Sequence, residues 1–226
     1  MKPHRTGSAA AYATLVAGWL DDGRMALSTV SATSTSGRKA STDDLFDAAR
    51  AEFIRYGFRR TSMDDIARRA GVSSRTIYRR LGDKDEIVRA VVTREVANFL
   101  DMSVAVVGRL AKPEERLVAC VALSTSEWLR NDLAQAALVH ESEFLLTLIQ
   151  DDEMFEHLVQ AFAMVLAGDD MSLDNAAEAA ELILRALATL MTSPSSRLPI
   201  GTPEQSRVIA ETYFVPILQA ARGQRA

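Results

Sequence analysis

The segment at residues 62–81 most restricts the fold, because it carries two helix-start signals on either side of a glycine. Ser62 is followed three positions later by Asp65, a pairing typical of a capping box at a helix N-terminus. Gly71 predicts a tight turn after this helix, and Ser73 predicts the cap of a second short helix. Two short helices joined by a glycine turn predict a helix-turn-helix.

The second of these helices, residues 74–81, has two faces of different character. At about 100° per residue, Ile77 and Leu81 fall together on one face, which must pack inward. The opposite face and its flanks carry polar side chains: Arg75, Thr76, Tyr78 and Arg79. Guanidinium groups can bond bidentately to guanine in the major groove, and hydroxyl groups reach phosphates. A basic face that is only solvated usually has acidic neighbours, and residues 66–82 contain none, so the pattern favours a DNA-reading helix.

The distribution of charge also favours a confined surface for a polyanion. The chain has a formal net charge of −4, and residues 101–226 carry eighteen acidic against nine basic residues. Residues 59–80 instead carry seven arginines against two aspartates. A basic patch in an otherwise acidic chain indicates local binding of a nucleic acid rather than general adhesion.

Helical periodicity extends from Thr42, predicted as the first N-cap, almost to the end of the chain. Asp83 is predicted to cap a long fourth helix. Later helices are predicted at residues 113–130, 132–149, 152–167, 172–192 and 203–222. Pro216 is expected to kink the last of them. No stretch alternates β-branched and polar residues, so we expect an all-α fold.

Residues 1–41 read differently and are predicted to be a flexible N-terminal extension. Residues 28–41 are rich in serine and threonine and have no apolar periodicity. Two basic residues close to the first helix, Arg38 and Lys39, either contact a phosphate backbone or belong to a solvated tail. The apolar run at residues 9–20 is too short to span a bilayer, and no membrane partner is predicted.

The sequence lacks common cofactor, nucleotide and hydrolase motifs, including GxGxxG, GxxxxGK[ST] and GxSxG. The stretch HESEF approaches a zinc-binding HExxH, but Phe144 stands at the place of the second histidine. We therefore predict no metal, no cofactor and no catalytic residue. The single cysteine, Cys120, excludes an intramolecular disulfide and favours the cytoplasm. A helical cytosolic enzyme is the alternative to a DNA-binding protein, and salt-dependent binding of duplex DNA distinguishes the two.

Residues 42–88, TDDLFDAARAEFIRYGFRRTSMDDIARRAGVSSRTIYRRLGDKDEIV, resemble the DNA-binding domain of the TetR family of bacterial transcriptional regulators. The matching pieces are AARAEFIRYGFRRTSMDDIARRAGVS, the pair Ile77–Tyr78, and a lysine with acids that opens the fourth helix. The resemblance implies an N-terminal three-helix helix-turn-helix domain at 42–88. It also implies a C-terminal helical domain for ligand binding and dimerisation at 89–226.

The resemblance further implies which residues touch DNA. Tyr78 matches a phosphate-binding tyrosine, Arg79 a base-reading position, and Lys84 a residue that grips the backbone. Thr76 is added because its hydroxyl lies on an outer side of the recognition helix. The predicted contacts are Thr61, Ser73, Ser74, Arg75, Thr76, Tyr78, Arg79 and Lys84. Two positions depart from the family: Leu81 stands where an aromatic residue is frequent, and Asp83 replaces the usual serine.

For function, the resemblance implies a repressor that a small hydrophobic molecule releases from a pseudo-palindromic operator. The helices between residues 113 and 167 supply more large apolar side chains than one small core needs, as expected around a small-molecule site. The predicted pocket residues are Leu117, Val121, Thr125, Trp128, His140, Glu141, Phe144, Leu148, Phe155 and Phe162. Because few basic residues lie on these helices, we expect a neutral or cationic effector. A constitutive repressor without a ligand is the alternative.

A homodimer is also expected, because one short recognition helix buries too little surface for tight specific binding. The last two predicted helices have apolar stripes wider than a surface helix needs. The resemblance favours a four-helix bundle made of these helices from two subunits. The predicted interface residues are Ile183, Leu187, Leu190, Ile209, Tyr213 and Ile217. The alternative places both helices in the core of a single subunit.

Overall fold

The computed structural model describes residues 40–107, 109–140, 152–167 and 171–223. Within these ranges the chain is helical apart from short connections, and no strand occurs, which confirms the predicted all-α fold. The helices are α1 (Thr42–Arg60), α2 (Met63–Ala70), α3 (Ser74–Leu81), α4 (Lys84–Val107), α5 (Pro113–Arg130), α6 (Asp132–His140), α7 (Asp152–Leu166), α8 (Leu173–Thr192), α9 (Pro203–Ile209), a π-helical turn (Ala210–Phe214) and α10 (Val215–Gly223). In this part of the chain, no helix combines the length and the apolar composition needed to cross a membrane.

The described residues form two compact units. The helix-turn-helix unit comprises residues 40–98 and 132–140, and the C-terminal unit comprises 99–107, 109–131, 152–167 and 171–223. The division falls inside α4, later than the predicted boundary at residue 88. It also assigns α6, which packs on α1, to the helix-turn-helix unit. Packing between two helices so distant in the sequence leaves no local pattern, so sequence reasoning missed it.

The first helix begins one residue earlier than predicted. Ser41, not Thr42, is the N-cap: its hydroxyl accepts a hydrogen bond from Asp44 N at 3.0 Å, and Asp44 Oδ2 accepts one from Ser41 N at 2.6 Å. A capping box needs an acid or amide three residues after the cap, and only Ser41 has one. Thr42 lies within the first turn instead, where its hydroxyl is free to accept a bond from elsewhere.

The core of the helix-turn-helix unit is formed by fully buried apolar side chains: Leu45, Phe53, Ile66, Ile77, Ile87 and Val91. Burial of each such side chain stabilises the unit by about 1.5–3 kcal/mol before the loss of conformational entropy. Gly57 interrupts α1 with φ 80°, a conformation that costs a residue with a side chain more than it costs glycine. Next to this interruption, the ring centroids of Phe58 and Phe53 lie 5.0 Å apart.

In the C-terminal unit, α7 packs on α8, and α5 packs on both α7 and α9. A hydrogen bond between the buried hydroxyl groups of Thr125 and Ser206, at 2.7 Å, joins α5 to α9. An ion pair between Arg222 and Glu114, at 2.7 Å, joins α10 to α5. Cys120 lies in this core, and burial raises the pKa of its thiol to about 12, so the side chain serves packing.

The last predicted helix, residues 203–222, is uninterrupted, but it contains one turn that is not α-helical. The residues Ala210–Phe214 make one π-helical turn, and the N–H of Val215 donates to the carbonyl of Ala210. Pro216 lacks an N–H, and its ring collides with the carbonyl four residues before it in a regular α-helix. The wider π turn immediately before Pro216 relieves this collision. The predicted irregularity therefore takes the form of a π turn.

Candidate DNA-binding surface

The turn between α2 and α3 has the geometry that the sequence predicts. Gly71 adopts the left-handed conformation, with φ 67° and ψ 30°, and ends α2. The N–H of Val72 donates to the carbonyl of Ala67 at 3.0 Å, as in a compact helix C-terminus. Ser73 then caps α3, its hydroxyl accepting from Thr76 N at 3.2 Å. These bonds confirm the helix-turn-helix.

Helix α3 is held on its inner face and on both flanks. Ile77 and Leu81 are buried, as predicted. On one flank, the hydroxyl of Ser74 donates to Asp64 Oδ1 at the start of α2. On the other flank, Arg80 donates to the carbonyl of Ala40 at 2.5 Å, next to the start of α1. These contacts fix the rotation of α3 about its own axis and therefore decide which side chains point outward.

Arg80 makes a second bond on the same flank, from its Nη2 to the hydroxyl of Thr42 at 3.0 Å. The guanidinium thus spans two acceptors, one on the backbone and one on a side chain. The sequence analysis counted Arg80 among the seven arginines of residues 59–80, which form the basic cluster, but gave it no role. Its acceptors lie some forty positions earlier in the sequence, so no local signal could have assigned it.

Four arginines of the basic cluster differ in whether they have a partner within the unit. Arg69 pairs with the buried carboxylate of Glu52, and Arg68 pairs with Asp65. Arg75 and Arg79 are exposed, and neither has a hydrogen-bond or ion-pair partner among the described residues. Arg69 and Arg80 join helices within the unit, whereas the Arg68–Asp65 pair lies on the surface of α2 alone. Arg75 and Arg79 keep their donors available for a ligand outside the unit.

Several hydroxyl groups that are predicted to contact DNA already form hydrogen bonds within the unit. Ser73 caps α3 and lies 3.0 Å from the hydroxyl of Thr76, while Ser74 donates to Asp64. Tyr78 differs, because its ring is 54% exposed and its hydroxyl has no partner in the part of the chain that the structure describes. Hydroxyl oxygens can still accept a bond while they donate one. Tyr78 is therefore the predicted hydroxyl residue that is most available to a phosphate.

The structure assigns Thr61 a different role from the predicted phosphate contact. Its side chain is 2% exposed, and its hydroxyl lies 2.8 Å from the carbonyl of Gly57 and 3.2 Å from that of Glu52. The carbonyl of Gly57 also accepts a bond from Thr61 N at 3.3 Å, so Thr61 closes the end of α1 with both its backbone and its side chain. Its side chain is too deeply buried to reach DNA in this conformation.

Lys84, the first residue of α4, is half-buried and donates from Nζ to the carbonyl of Arg59 at 2.9 Å. This bond joins the start of α4 to the end of α1. Asp83 caps α4 as predicted, through reciprocal bonds of 2.9 Å and 2.8 Å with Glu86. An ammonium has three donors, so Lys84 can keep this bond and still contact a phosphate.

The predicted ligand residues do not all lie together. In the C-terminal unit, Leu117, Val121, Thr125 and Phe155 are buried, and Trp128 and Phe162 are half-buried. The hydroxyl of Thr125 is used in the contact with Ser206, so it does not serve as a free polar anchor. His140 is exposed and belongs to the helix-turn-helix unit. The remaining predicted residues lie outside the described residues: Glu141, Phe144 and Leu148.

The predicted dimer residues also separate into two groups. Ile183, Leu187 and Ile209 are buried within the C-terminal unit, so their side chains are not available to a partner. Leu190 and Ile217 are half-buried, and Tyr213 is exposed. The same helices expose three large apolar side chains outside the predicted interface list: Leu173, Leu182 and Val208. An apolar stripe looks alike in sequence whether it faces its own core or a partner, which explains the partial correction.

Comparisons with known proteins agree with this geometry. Residues 45–91 match the family model of the bacterial regulatory proteins, tetR family, which spans most of α1, all of α2 and α3, and the start of α4. No curated protein gives a significant match to the chain.

Solved structures with the same fold include two regulators of low sequence identity. The fatty acid degradation regulator FadR from Bacillus halodurans is 16% identical, with a TM-score of 0.56 over 84% of this chain and 97% of that one. The TetR family repressor AlkX from a Dietzia species is 20% identical, with a TM-score of 0.56 over 82% of this chain and 98% of that one. At these identities the likeness concerns the fold.

Proposed function

The chain belongs to the TetR family of bacterial regulatory proteins, and from this premise we propose that it is a cytoplasmic, homodimeric repressor that a small hydrophobic molecule releases from its operator. The family and the helix-turn-helix make it a DNA-binding transcriptional regulator. One observation carries the proposal further: Arg75 and Arg79 are exposed and unpaired within the described residues. A helix whose two flanks are tied down offers these two guanidinium groups in a fixed direction.

In this proposal, α3 lies in the major groove of a pseudo-palindromic operator. Arg75 and Arg79 read base edges, because a guanidinium can bond bidentately to guanine. Tyr78 and Lys84 bind phosphates on either side and set the position of the helix. Ser73, Ser74 and Thr76 mainly support the helix, since their hydroxyl groups already bond within the unit.

We place the dimer interface on the exposed apolar side chains of α8 and of the segment from α9 to α10. Leu182 is 55% exposed, Val208 59% and Tyr213 50%. Exposed aliphatic and aromatic side chains of this size favour contact with another surface. Two-fold symmetry would set two copies of α3 about 34–36 Å apart, which matches successive major grooves on one side of DNA.

We place the effector site among α5, α7 and the neighbouring residues of the C-terminal unit. Trp128 and Phe162 are half-buried, so a ligand can cover the remaining surface of both rings. A ligand changes operator affinity only if it binds one arrangement of the dimer better than another. A hydrophobic effector can pack against such rings. The names of two similar structures refer to fatty acid degradation and to the biodegradation of n-alkanes, so fatty acids and n-alkanes belong in a first screen.

The first experiment selects duplexes from a random pool with the full chain and measures the affinity of the best sequence against salt. Arg79→Ala is expected to lose about 1–3 kcal/mol of binding free energy and to relax specificity at one position. Arg197→Ala serves as the matched control, because Arg197 is exposed in the C-terminal unit. If no sequence were enriched, or if Arg79→Ala bound the selected sequence as tightly as the unchanged protein and the control do, the assignment of α3 would be wrong.

The second experiment tests the effector with a thermal-shift screen of hydrophobic compounds, followed by release of the selected operator. A true effector raises the melting temperature and weakens operator binding, and Phe162→Ala reduces its affinity. If compounds bound but left operator affinity unchanged, they would not be effectors. If no compound class bound, a constitutive repressor would replace the proposal.

A further inference from the structure

Helix α3 has a narrow apolar base on the rest of its unit. It is eight residues long, and helices of this length are marginal on their own, so tertiary contacts must fix its direction. Its buried side chains are Ile77 and Leu81, which follow each other by one turn along a single line. A helix that rests on one line of side chains can roll about that line. These two residues alone therefore do not set the rotation of α3.

Two polar residues near the ends of α3 oppose this roll. Ser74 and Arg80 are three residues before and after Ile77, so they lie about 60° to either side of it around the helix. The hydroxyl of Ser74 donates to Asp64 at the start of α2, whereas the guanidinium of Arg80 donates to two acceptors at the start of α1. The helix is thus held on opposite flanks and at opposite ends.

The hold on the Arg80 side consists of two hydrogen bonds to a well-anchored point. Nη1 donates to the carbonyl of Ala40 at 2.5 Å, and Nη2 donates to the hydroxyl of Thr42 at 3.0 Å. A planar guanidinium with two donors engaged has a fixed orientation. The acceptors flank the capping box of Ser41 and Asp44, which fixes the start of α1. Arg80 therefore ties the rotation of α3 to α1.

The roll of α3 decides where its outward guanidinium groups lie. Arg75 and Arg79 are about 160° to either side of Ile77, on the outer face. Side-chain tips lie about 5–6 Å from a helix axis, so a roll of about 10° moves them by about 1 Å. A binding group must be held to within about 0.5 Å of its productive position. Bidentate pairing of these arginines with guanine is therefore sensitive to the roll.

We propose that Arg80 is a positioning residue for base recognition: bonded to Ala40 and Thr42, it sets the roll at which Arg75 and Arg79 meet the operator. Sequence discrimination then depends on a hydroxyl that lies on α1 and not on the recognition helix. The proposal rests on the proposed function of α3. It adds that the loss of these bonds lowers discrimination between sequences and leaves the general attraction to DNA unchanged.

A direct phosphate contact is the competing role for Arg80, because a guanidinium has five donors and two bonds leave others unused. The two roles predict different results. A phosphate contact raises the affinity for every sequence and contributes about 0.9 to the slope of log affinity against log salt. A positioning bond leaves this slope unchanged, but it raises the ratio of the affinity for the operator to the affinity for a duplex with one base pair changed.

The test measures this ratio for the unchanged full chain, T42V and T42S, with the operator selected from the random pool and its single-base variants. A well-placed arginine distinguishes the right base by about 5- to 150-fold. T42V removes one acceptor of Arg80 without changing the charge of α3, and it is expected to lower the ratio at least about threefold at an unchanged salt slope. T42S keeps the hydroxyl and should keep the ratio.

R80A removes both bonds and should lower the ratio further than T42V does. Its matched control is R55A, because Arg55 is an exposed arginine of α1 in the same unit, 5.1 Å from the ring of Tyr56. In an R75A/R79A background, R80A should have no further effect on the ratio, since a positioning residue acts through these two side chains. Thermal melting and circular dichroism identify the temperature range in which every variant is folded.

The outcomes separate this inference from the proposed function. If R79A lowers the ratio while either T42V or R80A leaves it unchanged, the inference is wrong and the function stands. If R80A weakens binding to all sequences alike and lowers the salt slope, Arg80 contacts phosphates, which also overturns the positioning role. If the unchanged protein selects no duplex, the proposed function itself fails.

Discussion

Arg69 Nε donates to the carboxylate of Glu52, a residue of α1 that is only 7% exposed, so an arginine of the basic cluster serves to join α2 to α1. A buried carboxylate is costly without a partner, because burial removes most of its hydration. The pair therefore matters for stability, whereas Arg75 and Arg79 are exposed and have no partner among the described residues. This difference leads to the first prediction.

Arg69→Ala is expected to lower the free energy of unfolding by about 1.5–3 kcal/mol, because it leaves Glu52 as an unpaired buried charge. Arg75→Ala is the matched control and should change stability by less than about 0.5 kcal/mol, because its side chain is exposed and unpaired within the described residues. Urea denaturation followed by circular dichroism measures both. Equal stability of the two variants would contradict the role given to the Glu52–Arg69 pair.

Thr61→Val tests the corrected role of Thr61. The valine keeps the shape but removes the buried hydroxyl that lies within hydrogen-bond distance of the carbonyls of Gly57 and Glu52, so we expect a loss of about 1–2 kcal/mol of stability. Thr61→Ser keeps the hydroxyl and should lose less. Operator affinity of the folded Val variant, measured well below its melting temperature, should equal that of the unchanged protein. A large loss of affinity with unchanged stability would restore the phosphate contact.

The capping box of α2 predicts a dependence of stability on pH. Hydrogen bonds from the side chain and the backbone of Ser62 lower the pKa of Asp65 below its usual value of 3.8. Because the folded pKa is the lower one, the stabilisation is present above the usual value and is lost as pH falls through the lowered value. Asp65→Asn should therefore destabilise the protein at pH 7 and make less difference in acid. Urea midpoints at several pH values measure this, and a difference that grew on acidification would contradict it.

The dimer proposal predicts that exposed apolar residues affect association, whereas a buried residue of the same helix affects only stability. Leu182→Asp and Tyr213→Asp place charges on exposed apolar positions and should shift the protein toward monomer at micromolar concentration. Val139→Asp, at a 76% exposed position in the helix-turn-helix unit, is the control and should leave the mass unchanged. Light scattering or sedimentation measures the mass.

Ile183→Val completes this comparison, because Ile183 is fully buried in the C-terminal unit. It should cost about 0.5–1.5 kcal/mol of stability without changing the association state. A monomeric unchanged protein, or a dimer that survives both charged variants, would place the interface elsewhere or remove it.

The sequence by itself determined the local features of the DNA-binding surface. The caps at Ser62 and Ser73, the turn at Gly71 and the inward face of Ile77 and Leu81 all depend on residues within four positions of one another. Because such interactions involve residues that are close in the sequence, helical periodicity and capping rules predict them. At the start of α1 the predicted cap, Thr42, was wrong, although the spacing of Ser41 to Asp44 is a local signal of the same kind.

Only the tertiary structure decided which polar and apolar side chains remain available. Arg69 meets Glu52 and Arg80 meets Ala40 across separations of 17 and 40 residues, and no periodic pattern records such meetings. Ile183 and Tyr213 both belong to apolar stripes that were predicted to form the dimer interface. Ile183 is nevertheless buried, whereas Tyr213 is half exposed. Availability is set by what packs against a side chain from elsewhere in the chain. That is why sequence reasoning found the helix-turn-helix, while the fold determined which of its arginines are already paired within the unit.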